Sequence, residues 1–313
     1  MNNKEGKTMR KIFTVIGVIL ALAVAGITAA GVLYRPESRI PEGFAGRYVE
    51  VDGMRLRVLQ MGSGPDVLLI HGCPGSIEDW TPLMELLAKN HRVTAYDRPG
   101  HGFSAVEDLP YTVEHNAQTA RALIKALGLE DMVVVGHSYG ASTALAMALD
   151  ATPQVKSYVL VGSVPYGVRD IDPLYRLVTT PVLGTGITRI FSPILGPNMV
   201  REGLKESFGP NAGEIPPGFV DLRIRLWTRT MVALSRAHEI LNFNENTEAM
   251  AQRYGDITTP VIVVEGSEDA AAADAYRLHE EIPASVWVEM SRTGHYVPII
   301  RAQELAAVID RAS

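Results

Sequence analysis

The stretch Gly136-His137-Ser138-Tyr139-Gly140 decides how this chain is read. It comes after the apolar run Met132-Val133-Val134-Val135 and precedes a segment rich in alanine, leucine and methionine, residues 141–150. A β-branched run that enters a Gly-x-Ser-x-Gly turn and leaves as a helix puts the serine on a strained backbone, which glycines at both flanks make sterically possible. Such a strand–turn–helix is a nucleophile elbow. Its serine hydroxyl projects above the sheet, and the adjoining helix N-terminus adds backbone N–H groups and partial positive charge where an oxyanion would develop. The same string also arises by chance in a chain with 28 glycines, so its meaning depends on the acidic and histidine residues placed later in the chain.

If Ser138 is a nucleophile, an acid and then a histidine should come after it, each at the end of a strand. Only His279 and His295 lie late enough. His279 falls in a helical stretch, 270–281, where a polar residue is most simply part of a solvated face. His295 comes after the alternating run Ser285-Val286-Trp287-Val288-Glu289-Met290 and the turn Arg292-Thr293-Gly294, and it precedes a terminal helix over 298–312, so it is the expected base. For the acid, Thr259-Pro260-Val261-Ile262-Val263-Val264 reads as a buried strand with Glu265, Glu268 and Asp269 at its exit. Glu265 can still belong to the strand and point away; Glu268 and Asp269 share the turn, and Asp269 is the choice, to hold the imidazole tautomer.

A second oxyanion donor should come from the loop after an earlier strand. Asp66-Val67-Leu68-Leu69-Ile70 is that strand and His71-Gly72-Cys73-Pro74-Gly75 the loop, so the backbone N–H groups of Cys73 and Tyr139 are the expected donors. His71 precedes its supposed partners and is expected to shape this loop by hydrogen bonding, with no proton-transfer role.

Taken together, His71 to Pro74, Tyr96 to Ser104, Gly136 to Gly140, Gly266 to Asp269 and Gly294-His295 resemble the α/β-hydrolase superfamily, in its serine-nucleophile branch with an HGxP loop and a cap. The resemblance covers about residues 45–313 and is specific for fold and triad, much less so for substrate. It implies a mostly parallel sheet with helices on both faces, an inserted helical cap, and Ser138, Asp269 and His295 as catalytic residues. Two departures are visible. Ala270 to Ala273 replaces the apolar residue and proline that relatives often carry after the acid, and Ser138 stands where similar dehalogenases and epoxide hydrolases have aspartate. Proline iminopeptidases share the loop, yet typically have glycine at the position of Cys73 and a different elbow.

Composition fits a folded catalytic body, with 47% hydrophobic and 20% charged residues. A net charge of -6 provides no electrostatic footprint for nucleic acid, and none is expected as partner. The single cysteine, Cys73, cannot form an intrachain disulfide. No zinc-type spacing or phosphate-cradling glycine loop is present, so neither metal nor cofactor is expected.

The N-terminus is a different physical object. Residues 1–11 carry Lys4, Lys7, Arg10 and Lys11, and residues 12–34 carry no charge, long enough to span a bilayer core of roughly 20 helical residues. Basic residues ahead of the span predict a cytoplasmic N-terminus and an exported remainder. A signal peptide cleaved near Ala23-Val24-Ala25 is the competing reading, and the apolar sequence continuing past that point favours an uncleaved anchor. Residues 35–46 read as a linker, and 47–164 and 255–313 as two parts of a hydrolase core. Within them 47–51 and 54–60 form a hairpin, and strands over 67–70, 92–96, 132–135, 158–161, 261–264 and 286–290 alternate with helices. Residues 165–254 are expected to form a lid, with Arg223, Arg225, Arg229 and Arg236 solvated. The favoured function is hydrolysis of a small or moderately apolar carboxylic ester through an acyl-enzyme. The alternatives are another triad reaction on the same scaffold (carbon–carbon bond hydrolysis, cofactor-free haloperoxidation or N-terminal peptide cleavage) and a non-catalytic ligand-binding protein.

Overall fold

The computed structural model describes residues 3–37, 39–105, 110–168 and 171–313; the first two residues of the basic segment, position 38 of the linker, 106–109 of the core and 169–170 of the cap lie outside these. In chain order the strands are β1 (Arg47–Val51), β2 (Met54–Met61), β3 (Asp66–Ile70), β4 (Arg92–Tyr96), β5 (Met132–His137), β6 (Val155–Val161), β7 (Val261–Gly266) and β8 (Ser285–Met290). The helices are α1 (Asn3–Val32), α2 (Thr81–Leu87), α3 (Val113–Leu127), α4 (Tyr139–Leu149), α5 (Pro173–Val178), α6 (Leu183–Phe208), α7 (Phe219–Trp227), α8 (Thr230–Ala251), α9 (Ala272–Glu281), α10 (Val297–Ile300) and α11 (Ala302–Ala312).

Asp52 and Gly53 both adopt left-handed backbone, with φ of 48° and 81°. Two such residues make the primed turn whose twist matches paired strands, so β1 folds back on β2 with Val51 opposite Met54. The eight strands form one sheet in the order β1-β2-β4-β3-β5-β6-β7-β8, antiparallel for the first two pairings and parallel thereafter. Period-two alternation sorts the side chains. Leu68, Ile70, Val134, Tyr158, Leu160 and Val263 pack beneath α3 and α4, while Val67, Leu69, Val133, Val135, Val159 and Val161 pack beneath α2 and α11. Both faces are therefore buried, and the parallel strands read as continuous apolar runs for that reason.

The fold is the α/β-hydrolase fold that the motifs imply, with α5 to α8 inserted between β6 and β7. The terminal helix expected over 298–312 is instead two helices, interrupted at Arg301, where φ is -120°. The segment Lys7–Val32 is long and apolar enough to cross a membrane, and the mean hydropathy of its most apolar stretch is 2.6.

Candidate active site

Ser138 takes φ 55° and ψ -122°, the strained conformation expected of an elbow. The flanking glycines are needed for close backbone approach: a Cβ on Gly136 would meet the Gly140 carbonyl oxygen at 2.3 Å, and one on Gly140 would meet the Ile70 carbonyl oxygen at 2.1 Å. The Ser138 amide donates to the Val161 carbonyl at 2.9 Å, which ties the elbow to β6. Tyr139 opens α4, and N–H groups in a helix's first turn have no intrahelical acceptor. Gly72 and Cys73 approach from the β3 exit, close enough that a Cβ on Gly72 would lie 2.9 Å from Ser138 Cβ.

Asp269, at the exit of β7, and His295, in the loop after β8, meet directly: His295 Nδ1 lies 2.6 Å from Asp269 Oδ2. Asp269 Oδ1 also accepts the Ala271 amide at 3.0 Å. Burial pushes the Asp269 carboxyl upward, but hydrogen bonding and charge from His295 outweigh it and hold the group well below the usual carboxylate range. Glu268 is exposed. Glu265 belongs to β7 and is buried, with one carboxyl oxygen accepting the Ser163 amide at 3.0 Å. Burial first, and then the Asp269 charge beside it, pushes Glu265 well above its ordinary value.

His295 is pinned through its backbone. Its amide donates to the Ser207 carbonyl of α6 at 2.8 Å, and its carbonyl accepts from His137 Nε2 at 2.9 Å. Burial, with the nearby His295 ring, lowers the His137 pKa to about 3, so His137 is a neutral Nε2–H donor. Sequence alone assigns His137 no task; it occupies a variable position of the elbow, and its partner is 158 residues away.

His71 is fully buried, accepts the Arg98 amide on Nε2 at 2.9 Å and donates from Nδ1 to the Gly72 carbonyl at 2.8 Å. It thus shapes the loop that carries Cys73. Arg98 extends the framework by donating to the carbonyls of His71 and Gly72 at 3.0 and 2.9 Å. Its guanidinium also forks onto both carboxylate oxygens of Glu239, a residue of α8. His101 Nε2 meets Glu239 Oε2 at 2.9 Å. Burial pushes the Cys73 thiol well up, reinforced by the Glu239 charge, which keeps it protonated. Ligand atoms of Cys73, His101 and Glu239 lie within 4.8 Å of one another, but the Arg98 guanidinium already occupies the carboxylate, and a cation there would face that charge. The cluster locks the cap to the core.

Of the four cap arginines only Arg225 is exposed as expected. Arg223 is buried and donates to Asp79 Oδ1 from Nη2 at 2.6 Å, a second tie between cap and core. Arg229 pairs with Glu37 at 2.9 Å and lies over the Phe103 ring. Arg225 is exposed, with its guanidinium over Phe44, and Arg236 lines the cavity beside Ser138. His279 is likewise not simply solvated, since its Nδ1 lies 2.7 Å from Ser285 Oγ.

Ser138, His295, Gly72, Cys73 and Pro74 line one cavity of ≈ 170 Å³, bounded on the cap side by Met199, Val200, Leu204, Trp227 and Arg236. That volume is below the roughly 300–1,000 Å³ of typical ligand pockets, so in this conformation the cavity holds only a small group. The Trp227 indole N–H and Arg236 Nε are buried and have no hydrogen-bond partner among the described residues.

Comparison with known proteins agrees with the architecture. The acetyltransferase component of an acetoin cleaving system from Cupriavidus necator is 27% identical over 272 residues, 85% of this chain and 68% of that protein. A 2-(acetamidomethylene)succinate hydrolase from Mesorhizobium japonicum is 26% identical, covering 81% of this chain and 90% of that protein. Among solved structures, the enol-lactonase of Burkholderia xenovorans LB400 superimposes with a TM-score of 0.70 at 20% identity, over 85% of this chain and 99% of that one, a likeness of fold. The profile of the alpha/beta hydrolase family matches residues 67–308, and the chain belongs to that family.

Proposed function

We propose that the protein is a carboxylesterase-like serine hydrolase acting through Ser138, His295 and Asp269. The observation that carries this reading is the 2.6 Å Asp269–His295 contact beside a strained Ser138 in one shared cavity. With Nδ1 bound to Asp269, the free Nε2 of His295 takes the Ser138 proton as Oγ attacks the ester carbonyl carbon. The amides of Cys73 and Tyr139 hold the tetrahedral oxyanion, each contributing about 3 to 4 kcal/mol. His295 then protonates the departing alkoxide, and a water activated by the same imidazole hydrolyses the acyl-enzyme. The Ala271 amide, donating to Asp269 Oδ1 at 3.0 Å, keeps that carboxylate in place.

In the same reading, residues 12–34 anchor the chain with a cytoplasmic N-terminus and an extracytoplasmic catalytic domain, or direct its secretion if they are cleaved. Residues 165–254 serve as the cap that selects substrate.

A second reading has one specific support. The Arg236 side chain lines the cavity and its charge suits a carboxylate, so the same triad could act on a carboxylate-bearing substrate, by hydrolysis of an amide or a carbon–carbon bond. Both readings are tested by labelling the membrane-extracted protein with a fluorophosphonate probe, beside Ser138→Ala and His295→Ala, and then assaying p-nitrophenyl esters of increasing chain length. Labelling that requires both residues, with ester turnover, is the expected result. Labelling without ester turnover transfers the case to the second reading, and no labelling of folded protein to a binding role.

A further inference from the structure

The helix α6 takes part in three things at once. Its first turns are fastened to α1: a Cβ on Gly186 would lie 1.9 Å from the Ile27 carbonyl oxygen, one on Gly31 would lie 2.1 Å from that of Val182, and Arg189 Nη1 donates to the Ala30 carbonyl at 2.9 Å. Its later turns wall the cavity through Val200, Gly203, Leu204 and Ser207. Between them Phe191, Ile194, Leu195 and Met199 recur at helical spacing on one face and are 41%, 65%, 57% and 58% exposed.

That exposure is not scattered. Outside α1 and the residue just after it, all the exposed large apolar side chains of the described residues except Tyr276 and Val286 fall within 168–199, on α5, α6 and the segments flanking them. An exposed apolar cluster of this kind marks a contact surface. Its position indicates what covers it. Residues 12–32 of α1 measure about 32 Å at 1.5 Å per residue, close to the roughly 30 Å of a bilayer core, so the membrane boundary falls near the end of α1, where α6 docks.

We propose that the exposed face of α5 and α6, continuous with α1, rests in the interface of the bilayer and that the active-site cavity opens toward it, so that the enzyme draws a lipid-dissolved ester directly from the membrane. Met199 joins the two surfaces, because it both lines the cavity and lies in the exposed stripe. The proposal rests on the serine hydrolase reading for its substrate and on α1 as a retained anchor for its orientation.

The test uses the full chain reconstituted into phosphatidylcholine vesicles. The double variant Ile194→Glu, Leu195→Glu is compared with the wild type on p-nitrophenyl butyrate in water and on p-nitrophenyl palmitate dissolved in the bilayer. The expected result is at least a tenfold loss of kcat/KM on the palmitate with the butyrate rate within twofold; equal effects on the two substrates overturn the proposal. A second measurement needs no turnover. A polarity-sensitive dye on Ile194→Cys, in a Cys73→Ser background, should shift to the blue and be quenched by brominated lipid, and a dye on Val286→Cys should not. An unshifted, unquenched dye at 194 refutes the membrane contact even in an active enzyme, whereas a quenched dye with no hydrolysis of either ester sinks the esterase reading and with it the lipid-ester substrate.

Discussion

Glu239 of the cap and Arg98 of the core form a buried, two-pronged ion pair, and Arg98 also holds the carbonyls of His71 and Gly72. Removing one partner of such a pair leaves an uncompensated buried charge, which costs about 3 to 5 kcal/mol. Glu239→Ala is therefore expected to lose that much stability in urea denaturation and to lower kcat as the Cys73 loop loosens. The double variant Arg98→Met, Glu239→Leu should recover most of the stability and little of the activity.

The same pair predicts acid sensitivity. Burial raises the Glu239 carboxyl, but Arg98 and His101 outweigh it and depress it below its ordinary 4.5. A depressed carboxylate contributes stability that is fully present above its unfolded pKa and is lost as pH falls below it. The stability gap between wild type and Glu239→Gln should then be constant from neutrality down to about pH 5 and shrink in more acid solution, as thermal melts across that range would show.

Glu265 carries the opposite sign. Its raised pKa means that the folded state keeps a proton that the unfolded state releases above about 4.5, so this group makes the fold less stable as pH rises. Glu265→Gln keeps the shape of the side chain without that proton. Its melting temperature, measured against wild type from pH 5 to 8, should gain progressively, and a constant difference would refute the raised pKa.

At the elbow, two substitutions separate chemistry from strain. Ser138→Ala should reduce kcat by about a millionfold with the fold intact. Ser138→Gly should be equally inactive but about 1 kcal/mol more stable than Ser138→Ala, because only glycine relaxes at φ 55°. Calorimetry of the two variants decides it.

Gly72→Ala tests the oxyanion loop. Its new Cβ would press on Ser138 Cβ at 2.9 Å and the His137 carbonyl oxygen at 3.3 Å, displacing the Cys73 amide. A fall of about 100-fold to 1,000-fold in kcat, the effect of losing one donor, is expected in steady-state assays with KM little changed.

Much of this architecture is legible along the chain because it is locally encoded. Asp52-Gly53 announces a hairpin, and the apolar runs ending at Ile70, Val135 and Val264 announce buried parallel strands. Candidate residues placed at strand ends are legible by the same token. What escapes is the set of long-range pairings: Arg98 with Glu239 and Arg223 with Asp79 join residues 141 and 144 positions apart. A lone charged residue in a helix carries the same local signature whether it meets water or a buried counter-ion. Gly31 reads as one more residue of an apolar span, and nothing near it announces the backbone of α6 against which it rests.

The cap divides the site in the chain as well as covering it in space. Ser138 and the Cys73 loop precede residues 165–254, whereas Asp269 and His295 come after them, the last within twenty residues of the C-terminus. If Ser138 and His295 act as proposed, a growing polypeptide carries its serine through synthesis without a base to activate it. On that reading, reactivity arrives only when β8 and the loop after it dock, so a chain still lacking them is chemically silent.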